Sequence, residues 1–439
     1  MSLNSLIRTD VIGGLGVITL NRPQALNALT LEMVRELTTV LRGWAHDAAV
    51  HAVLLHGSAR PPKEGQHPTV HFCAGGDIRF MHDAALAGDL ALDDFFTEEY
   101  ALDHLIHVYP KPTVAWIEGV CMGGGMGLVQ GCQLRVVTES VRMAMPETRI
   151  GLFPDVAGGY FLSRCSGAVG EYLGVVGPHL HLTDALTLGL ADDHARSDSL
   201  PALLAGLQAH PAADSDELMA RVGKHVQAHA LSQLPQATIT QHLDQINRHF
   251  SLPTLAEIQA SLQDDDSEWA RATLRQMDGH SPLMMAVTLE QVRRARSMPL
   301  AEVFRMERTM VRHCFQLRKG ADSETAEGVR ALAVDKDHRP RWRPAQVAEV
   351  TPAMVEAFFE PVWPLHAHPL RDADHRQPPQ HIAAETPLIA RRALALDQPL
   401  ALVEMQRRNS HACACRQLAN GQNVGMFHVT HFLLDLKCT

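Results

Sequence analysis

The chain has 439 residues, 46% of them hydrophobic, and a formal net charge of −10. That length buries a sizeable core and fits two domains, and the hydrophobic share rules out global disorder. The acidic balance argues against nucleic acid or an anionic membrane as the main partner, while allowing a local basic patch for a phosphorylated ligand.

The N-terminus, Met1-Ser-Leu-Asn-Ser-Leu-Ile-Arg, has neither the basic start and apolar core of a signal peptide nor an Arg/Ser-rich transit composition, so a cytoplasmic location is expected. The eight cysteines have no regular spacing and read as buried, reduced thiols. Residues 17–20 (Val-Ile-Thr-Leu), 52–55 (Ala-Val-Leu-Leu) and 70–73 (Val-His-Phe-Cys) read as short strands. Between them, Leu31, Val34, Leu37, Leu41 and Trp44 recur at helical spacing, which predicts a helix over 30–44 with Thr30 as a plain start.

Phe72-Cys-Ala-Gly-Gly-Asp-Ile-Arg79 is a glycine-bearing turn between a strand and a helix. A second follows the strand 113–117: Gly123-Gly124-Gly125 opens onto the apolar segment 126–129. A helix that starts at glycines offers free backbone N–H groups and the positive end of its dipole, and no side chain blocks the approach of an oxygen. Two such turns converging on one carbonyl oxygen would form an oxyanion hole, where losing one donor costs roughly 3–4 kcal/mol of barrier. Taken alone, each turn is equally a tight bend with no ligand. The apolar window 113–132 is broken by Glu118, Gln130 and six glycines and makes a poor membrane span.

Further strands are expected at 134–138 and 141–145. Next comes Met145-Pro-Glu-Thr-Arg-Ile-Gly-Leu-Phe-Pro-Asp-Val-Ala-Gly-Gly159, with Glu147 and Asp155 each following a proline. Carboxylates at a strand end serve as general bases or substrate anchors, and singly also as capping or solvated acids. Strand and helix alternate to about residue 200, which predicts an α/β core. Residues 201–370 read as mainly helical. Asp214-Ser-Asp-Glu217 is a helix start, Ser281-Pro282 opens a helix to about 298, and Leu300, Val303, Phe304, Met310, Val311, Cys314 and Phe315 share one face of a long helix. From 371 to 439 the periodicity dissolves into an extension; Cys413 and Cys415 with His411 and His428 match no usual zinc spacing.

The order of these motifs, with Ile18-Thr-Leu-Asn-Arg-Pro-Gln-Ala-Leu-Asn-Ala28 near the start, resembles the crotonase (enoyl-CoA hydratase/isomerase) superfamily. The finer match is to its 3-hydroxyisobutyryl-CoA hydrolase branch, and Glu327-Gly-Val-Arg-Ala-Leu-Ala-Val-Asp-Lys-Asp337 and Trp342-Arg-Pro resemble that branch's C-terminal region. The resemblance covers about residues 10–370. It implies a crotonase-like spiral of ββα repeats over 1–200, followed by a mainly helical region over 201–370. It also implies an acyl-CoA partner and self-association into a homo-oligomer, with no metal or redox cofactor, since CoA is part of the substrate.

On this chain the implied oxyanion donors are the N–H groups of Gly76 and Gly124, with Gly75 in the same substrate-binding turn. Gly127 stands where hydratases carry their first catalytic glutamate, while Glu147 matches the second. The resemblance further assigns Asp155 to the substrate hydroxyl and Glu99 to the acyl group, although Glu98 beside it fits the match equally well. Arg79 reads as a solvated surface arginine rather than a CoA-phosphate contact. The implied reaction is thioester hydrolysis; the alternatives are an enoyl-CoA hydratase or isomerase and an acyl-CoA-binding protein without turnover. Residues 57–70 form a longer connection than the family pattern leads one to expect.

Overall fold

The strands read at 17–20, 52–55, 113–117 and 134–138 become neighbours in one sheet. In the computed structural model, which describes residues 5–60 and 68–375, six strands lie in the order Ile7–Ile12, Leu15–Leu20, Ala52–Gly57, Thr113–Ile117, Leu134–Val137 and Asp193–His194. The first two form an antiparallel hairpin, and every later pair is parallel. Parallel neighbours need crossover connections. The helices Leu31–His46, Ile78–Ala87, Ala91–His107 and Gly124–Gln130 supply them.

Period-2 alternation then divides the sheet's side chains between two cores. Ile18, Leu20, Val53, Leu55, Ala115 and Ile117 face the main core with the crossover helices. Leu15, Val17, Ala52, Leu54, Val114 and Trp116 face the opposite side, which is covered by Leu200, Leu203, Leu207, Leu218, Val222 and Val226. Those covering residues belong to the helices Leu200–Ala209 and Ser215–Ala228, so the chain turns helical by closing over the second sheet face. A sheet buried on both faces reads as near-continuous apolar runs, as residues 52–55 and 113–117 do.

The helix starts follow their cap chemistry. Thr30 Oγ1 accepts from the Met33 N–H at 3.2 Å, and Asp214 Oδ1 from the Glu217 N–H at 2.9 Å. The long helix spans Leu300–Gln316 and buries the stripe named above from Val303 to Phe315. The helix opened by Ser281 runs Pro282–Ala295, ending a little short of 298. The architecture is α/β over the first part, followed by a mainly helical region.

Two strand readings differ from the sequence expectation. The edge strand Ile7–Ile12 escapes pattern reading because only Ile7 is buried along it. At 70–73 only Thr69–Val70 pairs as a strand, with Ala59–Arg60; Phe72 N–H and Cys73 N–H donate instead to Glu118 O and Val120 O. Cys73 thus leads into a small parallel pair, Val120–Met122 with Arg142–Ala144, which sets the glycine turns side by side.

The described residues fall within one compact unit, Met1–Gln380. Residues 61–67 of the long connection and the extension from 376 onward, with Cys413, Cys415, His411 and His428, lie outside the described residues. Among the described residues no helix is long and apolar enough to cross a membrane, and Cys73, Cys121, Cys132, Cys165 and Cys314 are free and buried.

Candidate active site

The first glycine turn is held by the motif near the N-terminus. Asn27, buried at φ 57°, accepts from the Arg22 N–H at 2.9 Å and donates to His71 O at 2.7 Å. Arg22 reaches Asp77 Oδ2 at 2.7 Å, and Asp77 caps the next helix at the Phe80 N–H. Leu29 bridges Gly76 in parallel: the Leu29 N–H donates to Gly75 O at 2.8 Å, and the Asp77 N–H to Leu29 O at 2.9 Å. In such a bridge the Gly76 N–H points away from Leu29, leaving it free for another acceptor. Gly75 makes the bend at φ 102°.

The second turn approaches the first closely. Gly124 opens the Gly124–Gln130 helix, so its N–H has no acceptor within the helix. A β-carbon built on Gly124 would lie 3.5 Å from Gly76 N, and one built on Gly75 would lie 3.6 Å from Gly124 N. The two amides therefore border one small space. Gly123, at φ 48°, has Glu147 Oε1 3.0 Å from where its β-carbon would stand. Side chains on these glycines would fill the space that the amides enclose.

Three carboxyl groups surround it. Glu147 opens the short turn Glu147–Ile150 directly after Pro146; Glu99 lies on the Ala91–His107 helix; Asp155 follows Pro154. All three are buried, at 5%, 2% and 5% exposure. Glu98, by contrast, sits on the surface with both oxygens on Arg35, at 2.8 and 2.7 Å. The helix turn thus separates the two candidates: Glu99 is the one that faces inward. Glu147 Oε2 and Glu99 Oε1 have no hydrogen-bond partner among the described residues. Buried oxygens without partners are expected where a ligand or water completes the bonding. Asp155 Oδ2 accepts from the Tyr100 hydroxyl at 2.7 Å.

Crowding acids away from water disfavours their charges. Burial, then the nearby Asp155, holds Glu147 well above the usual carboxylate range, and the same two causes act on Glu99. Burial raises Asp155 to about 6, against the lowering effect of the Tyr100 hydrogen bond. Behind them Asp103, fully buried one turn after Glu99, has no partner for either oxygen among the described residues and is raised by burial and by Glu99. A carboxyl whose charge is so disfavoured at rest is a stronger proton acceptor once ionised, which suits general-base work.

Position 127 is closed to a longer side chain. A β-carbon built there would lie 2.6 Å from Asp103 Oδ2 and 2.6 Å from Val156 Cβ. The volume that an acid at 127 would need is already filled by neighbours on two other elements.

The cavity has about 310 Å³ and is lined by Gly75, Gly76, Glu99, Gly124, Glu147 and Asp155 together with Ile78, Met81, Met122, Arg149, Ile150, Leu152, His179 and Leu332. All six residues expected from the sequence therefore border one space. Arg79 lies elsewhere, exposed and donating to Ala333 O at 2.8 Å. Tyr100, Asp103, Arg149 and His179 were not read from the sequence. Tyr100 and Asp103 had a usable signal, since they continue the helix that carries Glu99. The stretch 327–342 contributes Leu332 to the wall and is braced by Arg330, which reaches Glu327, Asp335 and Asp337 at 2.7–2.8 Å. Among the described residues no cluster suited to a metal ion is present.

The chain as a whole is similar to known proteins. The Enoyl-CoA hydratase/isomerase family profile matches residues 15–359. The chain is 38% identical over 350 residues to the 3-hydroxyisobutyryl-CoA hydrolase, mitochondrial, of Gallus gallus, covering 80% of this chain and 87% of that one. The protein of the same name from Homo sapiens is 38% identical over 348 residues, covering 79% and 86%. Among solved structures, a carnitinyl-CoA dehydratase from Mycobacterium thermoresistibile superposes with a TM-score of 0.72 at 35% identity, covering 82% of this chain and 98% of that one. An enoyl-CoA hydratase from Rhodobacter sphaeroides 2.4.1 gives 0.70 at 34%, with the same coverage. These relatives carry names for different reactions and share one scaffold: the chain belongs to the crotonase (enoyl-CoA hydratase/isomerase) superfamily.

Proposed function

We propose that this crotonase-family protein is an acyl-CoA thioester hydrolase that cleaves 3-hydroxyisobutyryl-CoA to 3-hydroxyisobutyrate and CoA, a step of valine breakdown. The observation that carries the reading is the shared cavity. It joins the Gly76 and Gly124 amides with Glu147 and Asp155, while Gly127 is packed against Asp103 and Val156. The names of the curated relatives point the same way.

In this reading the two amides hold the thioester oxygen and stabilise the negative charge that develops on it. Glu147 takes a proton from water as the water oxygen bonds to the acyl carbon; the carbon–sulfur bond then breaks, and the thiolate leaves and is protonated. In the other route Glu147 attacks the acyl carbon and the carbon–sulfur bond breaks, expelling the CoA thiolate and leaving a mixed anhydride, which water then hydrolyses to the free acid and the restored Glu147 carboxyl. Asp155, held by Tyr100, accepts the substrate's 3-hydroxyl, and Glu99 orients the acyl group. A site built for a hydroxyl rejects an analogue lacking it by up to roughly 10⁴-fold.

Free-thiol release over a small panel of CoA esters tests the proposal. Preferred release from the 3-hydroxyisobutyryl ester supports it, and no release from any ester refutes it. A hydratase or isomerase is the second reading, favoured by the names of the solved relatives and by a Glu147 able to shuttle a proton. Loss of crotonyl-CoA absorbance without thiol release would establish it instead.

A further inference from the structure

Immediately after Asp155, two consecutive residues other than glycine, Val156 and Ala157, adopt φ of 54° and 65°. A β-branched residue in that region is strained, and such a turn persists only where its surroundings hold it. The restraint comes from a helix far along the chain. Glu307, fully buried on the Leu300–Gln316 helix, accepts from the Ala157 N–H through Oε2 at 2.8 Å and from the Gly159 N–H through Oε1 at 2.8 Å.

Gln291, fully buried on the Pro282–Ala295 helix, secures the other flank. Its Nε2 donates to Glu307 Oε1 at 2.9 Å and to Pro154 O at 2.7 Å. The backbone is thus tied on both sides of Asp155, at 154 and at 157. The short helix Gly158–Leu162 has no capping side chain of its own, and Glu307 satisfies its first-turn donor from outside. Gly159 permits the approach, since a β-carbon there would stand 3.1 Å from Glu307 Oε1. Without the Glu307 carboxyl, two buried N–H groups would lose their acceptor and the turn would be free to relax to negative φ, carrying Asp155 with it.

We infer that Glu307 is a positioning residue for Asp155: by holding the strained 156–157 turn it aims the Asp155 carboxyl at the acyl group, and so sets selectivity for hydroxylated acyl chains. The inference rests on the proposed hydrolase and on Asp155 as the partner of the substrate hydroxyl. The helical region therefore contributes to substrate choice through a residue that does not line the cavity.

The test is the ratio of kcat/KM for 3-hydroxyisobutyryl-CoA to that for isobutyryl-CoA, which lacks the hydroxyl. Glu307→Gln keeps the shape but turns an amide NH2 toward one of the backbone donors. The ratio is expected to fall roughly tenfold or more, with the unhydroxylated ester changed less than about threefold. Adding Ala157→Gly, which makes the left-handed turn easier to adopt, is expected to recover part of the ratio. An unchanged ratio, an equal loss on both esters, or a Glu307→Gln chain that no longer folds would each overturn the inference, because Glu307 would then serve the fold at large. Wild-type protein that releases thiol from no CoA ester would instead sink the functional reading, so the two failures are distinct.

Discussion

The Tyr100 hydroxyl donates to Asp155 Oδ2 at 2.7 Å, joining the Ala91–His107 helix to the Pro154–Asp155 turn inside the protein. The bond works against burial, which raises Asp155 to about 6. Removing it therefore pushes that group higher still. In Tyr100→Phe the kcat/KM preference for 3-hydroxyisobutyryl-CoA over isobutyryl-CoA is expected to fall near pH 6 and to recover as the pH rises, since Glu147 acts on both esters and cancels from the ratio. A hydrogen bond to a charged group is worth about 1.5–3 kcal/mol, so roughly tenfold or more of that preference is expected to be lost near pH 6. A ratio whose pH profile coincides with that of the wild type would show that Tyr100 does not tune Asp155.

Glu147→Gln removes the proposed base while keeping its shape. A drop in thiol release of roughly 10²–10⁴-fold is expected, with an unchanged circular-dichroism spectrum and melting temperature within a few degrees. Turnover near the wild-type rate would remove Glu147 from the chemistry.

Gly124→Ala places a β-carbon 2.4 Å from Glu99 Oε1 and 3.2 Å from Leu29 Cδ1. The side chain would also intrude on the space between the Gly76 and Gly124 amides. A loss of roughly 10²-fold or more in kcat is expected, as for removal of an oxyanion donor. Full activity in this variant would mean that the thioester oxygen lies elsewhere.

The buried acids also set how stability varies with pH. Glu99, Asp103 and Glu147 are held well above their ordinary values and Asp155 at about 6, so the folded chain keeps protons that the unfolded chain releases from about pH 4 upward. Native proton binding in excess of the unfolded state means that stability declines as pH rises through this window. Asp103→Asn, which lines no part of the cavity and has no charge to bury, is expected to gain on the wild type progressively between pH 5 and 8. Denaturant unfolding at the two pH values measures this, and a difference independent of pH would refute it.

Much of the site was legible because backbone chemistry writes itself into residue type. Gly75, Gly76, Gly123 and Gly124 leave open the space that their amides border, and Glu147 and Asp155, which line the same cavity, each follow a proline. The choice between Glu98 and Glu99 was not legible: neighbours on a helix differ by about 100° in direction, and only the packing of that helix decides which one is buried. Tyr100 and Asp103 were missed for the same reason, although they continue the same helix. Ile7–Ile12 was missed because an edge strand with one buried side chain carries no periodic signal.

From residue order alone came the alternation of strand and helix, the cap-marked helix starts and the set of glycines and acids that line one cavity, because each depends on bonding among near neighbours. Only the folded chain decided that Asp103 and Val156 fill the space beside Gly127, that Tyr100 bonds Asp155, and that Glu307 restrains the turn after it. Those contacts join residues from 24 to 150 positions apart and arise from packing helices over the sheet, which local pattern does not record.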